Sequence, residues 1–159
     1  MKIARNVFII TIILFGVSFN NYLKAEPEKA ISTDPIKEEF LKTDFPELIV
    51  DDRKLPAEVQ KAFSGRMKLA NPEEDYNNSD AIKNPSLPSC RLFFAGEAQN
   101  KVFVYYEQGG VFLTYRLALF TLDEKGRISG QNFYFLEAER AKDLAALKSL
   151  FQKYSGRIN

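Results

Sequence analysis

Residues 91–137 constrain the fold more than any other part of this chain. Four runs rich in Phe, Tyr, Val, Leu and Ile occur there: Arg91–Glu97, Lys101–Glu107, Val111–Leu122 and Arg127–Glu137. They are separated by Gln99-Asn100, Gly109-Gly110 and Glu124-Lys125-Gly126. Such runs bounded by turn residues read as strands, and separators this short join antiparallel neighbours. Gly-Gly suits a two-residue type I′ turn, whose central residues both need positive φ. Glu124-Lys125-Gly126 fits a three-residue loop with glycine in the left-handed position. The expectation is a four-stranded antiparallel meander over about 91–137.

The flanking sequence predicts helices. Over about 138–155, Leu144, Leu147, Phe151 and Tyr154 recur at spacings of three and four and so share one face. Glu139 and Asp143 favour the early turns through the helix dipole, and Gly156 stands where the helix should stop. Residues 26–90 are polar and punctuated by proline. Asp34-Pro35 has the form of an N-cap followed by proline at the first helical position, opening a short helix over Pro35–Leu41. Glu47–Val50 reads as a brief extended piece, Pro56–Phe63 as a helix closed by Gly65, and Asn71–Ser89 as loop. The fold class is α+β, with residues 26–90 and 91–159 forming one domain.

The expected turns set a register. A two-residue Gly109-Gly110 turn pairs Tyr106 with Leu113, Val104 with Tyr115 and Val102 with Leu117, an apolar face for the C-terminal helix to cover. Phe133 and Phe135 join that face opposite Leu117 and Tyr115. The second face then places Phe103 and Tyr134 on either side of Arg116, with Tyr105, Glu107 and Asn132 nearby. A guanidinium among aromatic faces can hold an anionic or planar ligand, so these six residues form the candidate binding patch. The plainer reading is an arginine whose stem packs on aromatics while its charge meets water.

Location is read from the first 25 residues. Lys2 and Arg5 precede Val7–Phe19, which is free of charge, and a more polar stretch ends at Ala25. This is the pattern of a cleaved secretory signal, because the apolar run is shorter than the roughly 20 residues of a spanning helix. The expected location is periplasmic or secreted, with an uncleaved N-terminal membrane anchor as the alternative. Removing Lys2, Arg5 and Lys24 from 22 basic side chains leaves 19 against 21 acidic ones. Without a basic excess, neither nucleic acid nor a polybasic membrane-surface role fits, and no stable membrane insertion is expected once the signal is cleaved.

Composition narrows the chemistry further. The chain has no histidine and one cysteine, Cys90, which excludes Ser–His and Cys–His catalysis, histidine-containing zinc sites and an internal disulfide. Cys90 is expected to be buried. Asp75-Tyr76-Asn77-Asn78-Ser79-Asp80 offers oxygen ligands but lacks the glycine and glutamate of an EF-hand loop. Glu97, Glu107, Asp123, Glu124 and Glu137 lie at or near strand ends, where solvated charges normally sit. No catalytic, metal or cofactor motif emerges.

The stretches Asp75-Tyr76-Asn77, Leu87-Pro88, Arg91–Gly96, Tyr105–Gly110 and Leu117–Phe120 resemble small exported bacterial proteins of unassigned function. Those sequences often carry Tyr-Glu-His-Gly-Gly, where this chain has Gln108. The likeness spans about residues 75–122 and implies one compact module without implying an activity. The expected function is a non-enzymatic binding or interaction module, for a protein or a small anionic or planar ligand. Two alternatives stand beside it: a histidine-free enzyme using carboxylate and tyrosine chemistry on the second sheet face, and a component of an envelope assembly.

Overall fold

The computed structural model describes residues 34–158 other than 83, 137 and 138. The signal expected over residues 1–25 lies outside the described residues. The fold is α+β, an antiparallel sheet with a C-terminal helix.

Helix α1 spans Pro35–Lys42 and begins as its sequence dictates. Asp34 Oδ1 accepts hydrogen bonds from the Ile36 and Lys37 N–H groups at 3.1 and 3.3 Å, and proline at the first helical position has no N–H to satisfy. Strand β1 (Leu48–Ile49), helix α2 (Ala57–Ala62) and strand β2 (Leu69–Ala70) follow. Gly65 has a φ of +61°, but it opens a 3-10 turn over Gly65–Met67 and does not close α2, whose C-cap is Phe63.

The four expected strands are β3 (Cys90–Ala98), β4 (Lys101–Gln108), β5 (Thr114–Leu122) and β6 (Ile128–Leu136). The sheet is wider than four strands. Its order is β1-β3-β4-β5-β6-β7, with β2 pairing in parallel to β3. Strand β7 (Ser155–Ile158) follows helix α3 (Leu144–Tyr154) directly and pairs with β6. Gly156 therefore belongs to a strand, two residues past the end of the helix. The helix also starts later than its periodicity suggests, because Asp143 is its cap. Asp143 Oδ1 accepts from the Ala146 N–H at 2.8 Å, and the Leu147 N–H bonds the Asp143 carbonyl.

Both hairpins depart from the expected register. Between β4 and β5 the loop is five residues long, 109–113, and pairs Gln108 with Thr114, Tyr106 with Arg116 and Val104 with Ala118. Among the described residues only Gly65, Gly126 and Gln99 have positive φ, so Gly109-Gly110 forms no type I′ turn. A Cβ on Gly109 would lie 2.1 Å from the Asn77 carbonyl oxygen. The glycine is needed for close approach of the 77–78 backbone. Between β5 and β6, Gly126 adopts the expected left-handed φ of +73° and Leu122 pairs with Ile128 as expected. A bulge at Thr121/Leu122 then shifts the pairing by one, so Leu117 faces Tyr134 and Tyr115 faces Leu136. An odd shift moves a strand's side chains to the opposite face.

Each face of the sheet carries a core. On one, Phe103, Tyr105, Leu117, Leu119, Tyr134 and Leu136 pack under Phe40 of α1, Phe45, and Leu147 and Phe151 of α3. Phe151 meets Tyr134 edge-on at 4.7 Å and Phe40 at 5.4 Å, the favoured geometry for aromatic pairs. On the other, Leu92, Val104, Tyr106, Ala118 and Phe120 pack under Leu55, Val59, Phe63 and Leu69. The expected contact of Leu147 and Phe151 with the Tyr115–Leu117 face holds, but Val104 lies on the far side.

Candidate functional site

The expected patch does not assemble as a surface. Phe103, Tyr105, Glu107, Asn132 and Tyr134 do share one face, but it is the face that α1 and α3 cover, and all five are buried. Arg116 is excluded from it. The three-residue change in the β4–β5 register turns its side chain to the opposite face, beside its pairing partners Tyr106 and Phe135. There it is half-buried, and its Nε donates to Thr114 Oγ1 at 3.3 Å. The remaining groups are tied into the fold. Tyr134 donates from its hydroxyl to Asp34 Oδ2 at 2.7 Å, and Tyr105 Oη accepts from the Ala141 N–H at 2.9 Å.

A different cluster forms at the end of this face, and the register explains it. Arg91 pairs with Glu107, and Glu107 pairs with Tyr115, so one transverse row crosses β3, β4 and β5. Glu107 is only 3% exposed, and Oε1 accepts from Arg91 Nε at 2.6 Å with Nη2 at 2.5 Å. A buried carboxylate needs such a partner, since removing either member would strand a charge in low dielectric. The Arg91 guanidinium stacks on the Tyr76 ring at 4.5 Å. The Tyr76 hydroxyl pKa is pushed up to about 12, first by burial and then by the nearby Glu107 carboxylate. The Tyr105 hydroxyl is likewise pushed up to about 12 by burial, partly offset by its bond from Ala141. Arg140 lies 4.0 Å over the Phe93 ring, which the β-bulge at Leu92/Phe94 turns to this face. The arginines stacked on aromatic rings here are Arg91 and Arg140, on Tyr76 and Phe93.

This cluster underpins two loops that are latched together. Asn77, at the centre of the 76–89 loop, is buried. Its Nδ2 donates to the Asn84 and Leu87 carbonyls at 2.8 and 3.0 Å, and its N–H to the Pro88 carbonyl at 2.8 Å. The Asp80 N–H donates to the Gly110 carbonyl at 3.1 Å, the Gly109 N–H donates to the Ser89 carbonyl at 2.9 Å, and Ser79 bridges Gly110. Tyr76 anchors one loop to Arg91 and Glu107, and Gln108 leads from the same strand into the other. The oxygen-rich stretch Asp75–Asp80 thus serves as a strap. Among the described residues, no group of three or more Cys, Asp or Glu side chains is placed to hold a metal ion.

The two loops present apolar side chains to solvent. Val111, Phe112 and Leu113 are 73%, 78% and 47% exposed, and Ile82 on the strap is 57% exposed. Three consecutive exposed apolar residues on a firmly held loop are unusual in a soluble domain and are expected only where they serve contact. Sequence reasoning placed Val111–Leu113 inside a strand because the two-residue turn put them there. No local signal marks the longer tip, because it follows from the close approach of the Asn77–Asn78 backbone to Gly109.

The second face holds a further polar group. Tyr106 is fully buried and its hydroxyl has no hydrogen-bond partner; burial pushes its pKa upward. Cys90, on the same face, is buried as expected with Sγ 4.0 Å from Met67 Sδ, and burial raises its thiol to about 12. A thiol held this far from ionisation is unreactive. No protein-family model, curated protein or solved structure matches this chain.

Proposed function

We propose that this chain is an exported, non-enzymatic interaction module that meets its partner through the platform formed by Val111–Leu113 and Ile82. One observation carries the reading: four apolar side chains stand in solvent on two loops whose backbones are hydrogen-bonded to each other. Loops held by a rigid scaffold are where binding surfaces concentrate, and a contact held in place loses less entropy on association. The export reading is supported by the pattern of Met1–Ala25, that of a leader that would send the domain to the periplasm or outside the cell.

Burial of Cys90 supplies the test. With the native thiol inaccessible, Phe112→Cys and Lys125→Cys each carry one reactive thiol, at opposite ends of the β4–β5 and β5–β6 hairpins. Both should react fast with a membrane-impermeant maleimide in the purified protein. In intact cells opened only at the outer envelope, position 112 should be protected and position 125 should stay reactive. Equal reactivity at the two positions in cells overturns the platform.

A further inference from the structure

We infer that the partner of this platform is the interface of a neutral bilayer, into which Val111, Phe112 and Leu113 dip; the inference rests on the platform being the contact surface. Shape is the first argument. The four apolar residues line none of the clefts around Phe40–Phe45, Phe63–Leu69 or Asp51–Glu74. Val111, Phe112 and Leu113 form the end of a hairpin, and an exposed apolar tip matches a soft, deformable apolar phase.

Chemistry is the second argument. Gln108–Thr114 contains no ionisable side chain, whereas Ile82 on the strap stands in sequence between Asp80 and Lys83, so the uncharged part of the platform is the hairpin tip itself. Contact residues that dominate protein–protein binding are enriched in Trp, Tyr and Arg, with Leu and Val under-represented. The tip is built from Val, Phe and Leu and offers no polar handle. With no basic cluster near it, attraction to anionic headgroups contributes little, and burial of apolar area is what remains.

Backbone satisfaction is the third argument, and it sets the depth. The Gly109 N–H and the Gly110 carbonyl are bonded within the protein, to Ser89 and Asp80. The Val111–Leu113 backbone lies outside the β4–β5 pairing and is left for interfacial water. Unsatisfied backbone is not tolerated in hydrocarbon, so the tip stops at the headgroup boundary and does not span.

The chain contains no tryptophan, so Phe112→Trp and Lys125→Trp each create a single fluorophore. Unchanged melting temperatures verify that both variants fold. On adding phosphatidylcholine vesicles, emission from position 112 should shift to the blue and be quenched by lipids brominated on the acyl chains. Position 125 should not respond. Adding phosphatidylglycerol should leave the affinity unchanged within about twofold, and Val111→Ser with Leu113→Ser should weaken it by roughly tenfold or more. The proposal is overturned by an emission that no vesicle moves, by a shift that requires phosphatidylglycerol, or by a shift that grows with protein concentration without lipid, which marks a second copy as the occupant. If position 112 is protected in cells yet unmoved by vesicles, the lipid assignment fails and the platform stands. If it is unprotected in cells, both fail.

Discussion

Gly109 and Asn77 are in backbone contact so close that a Cβ on the glycine would sit 2.1 Å from the Asn77 carbonyl oxygen and 2.7 Å from Asn78 Cα. Neither obstacle is the end of a flexible side chain, so one backbone must move. Gly109→Ala should therefore destabilise the fold by about 1–3 kcal/mol, the usual cost of overpacking. Gly110, whose added Cβ would meet nothing nearer than 3.8 Å, is the control, and Gly110→Ala should stay within about 0.5 kcal/mol. Urea denaturation of the two variants checks the contrast.

The same contact explains what could be read from the chain. Residue-local rules worked: Asp34-Pro35 opened a helix, Gly126 took the left-handed position, and the four β-rich runs became β3 to β6. The expected Gly-Gly turn did not form, because the glycines answer to a strap more than twenty residues upstream that local pattern does not reveal. The bulge at Thr121/Leu122 has no local signature either. Two odd shifts turned Arg116 away while keeping Phe103, Tyr105, Glu107, Asn132 and Tyr134 on a shared face, so the grouping was largely right and its exposure was not. Exposure depended on α1 and α3, whose docking is a tertiary property.

Asp34 and Tyr134 join α1 to the sheet through one carboxylate that both caps the helix and accepts the tyrosine hydroxyl. Asp34→Ala should cost about 1–2 kcal/mol, as lost caps do. Tyr134→Phe should cost less, and the double variant should fall short of the sum because each single change already removes the bond between them. Denaturation of the four proteins in a double-mutant cycle measures that shortfall.

Leu147 and Phe151 are fully buried between α3, Phe40 and the sheet. Leu147→Ala should cost about 2–5 kcal/mol and Phe151→Ala about 3–5 kcal/mol. A thermal midpoint unchanged in Phe151→Ala would show that α3 is not part of the core.

Alkaline pH should weaken the fold in a defined order. Burial raises Cys90 from 9.0 to about 12, and Tyr76 and Tyr105 from 10.0 to about 12. The folded state keeps these protons while the unfolded chain gives them up, so their stabilising share is complete below about pH 9 and declines from there towards pH 12. The melting temperature should fall above pH 9, and Cys90→Ala should flatten the first part of that fall. An equal slope in the variant would remove the cysteine from the account.

Fractionation with N-terminal sequencing should find the protein outside the cytoplasm, with a mature chain beginning near Glu26. Full-length protein in the cytoplasm would contradict the export reading.

Everything proposed for the platform depends on the pairing of β4 with β5, since that register puts Glu107 beside Tyr115 and leaves Val111–Leu113 in the open. Cross-strand nuclear Overhauser contacts between backbone protons report it directly. The account predicts contacts between Gln108 and Thr114 and between Tyr106 and Arg116. Contacts between Gln108 and Val111 and between Tyr106 and Leu113 would establish the two-residue turn instead and contradict the account.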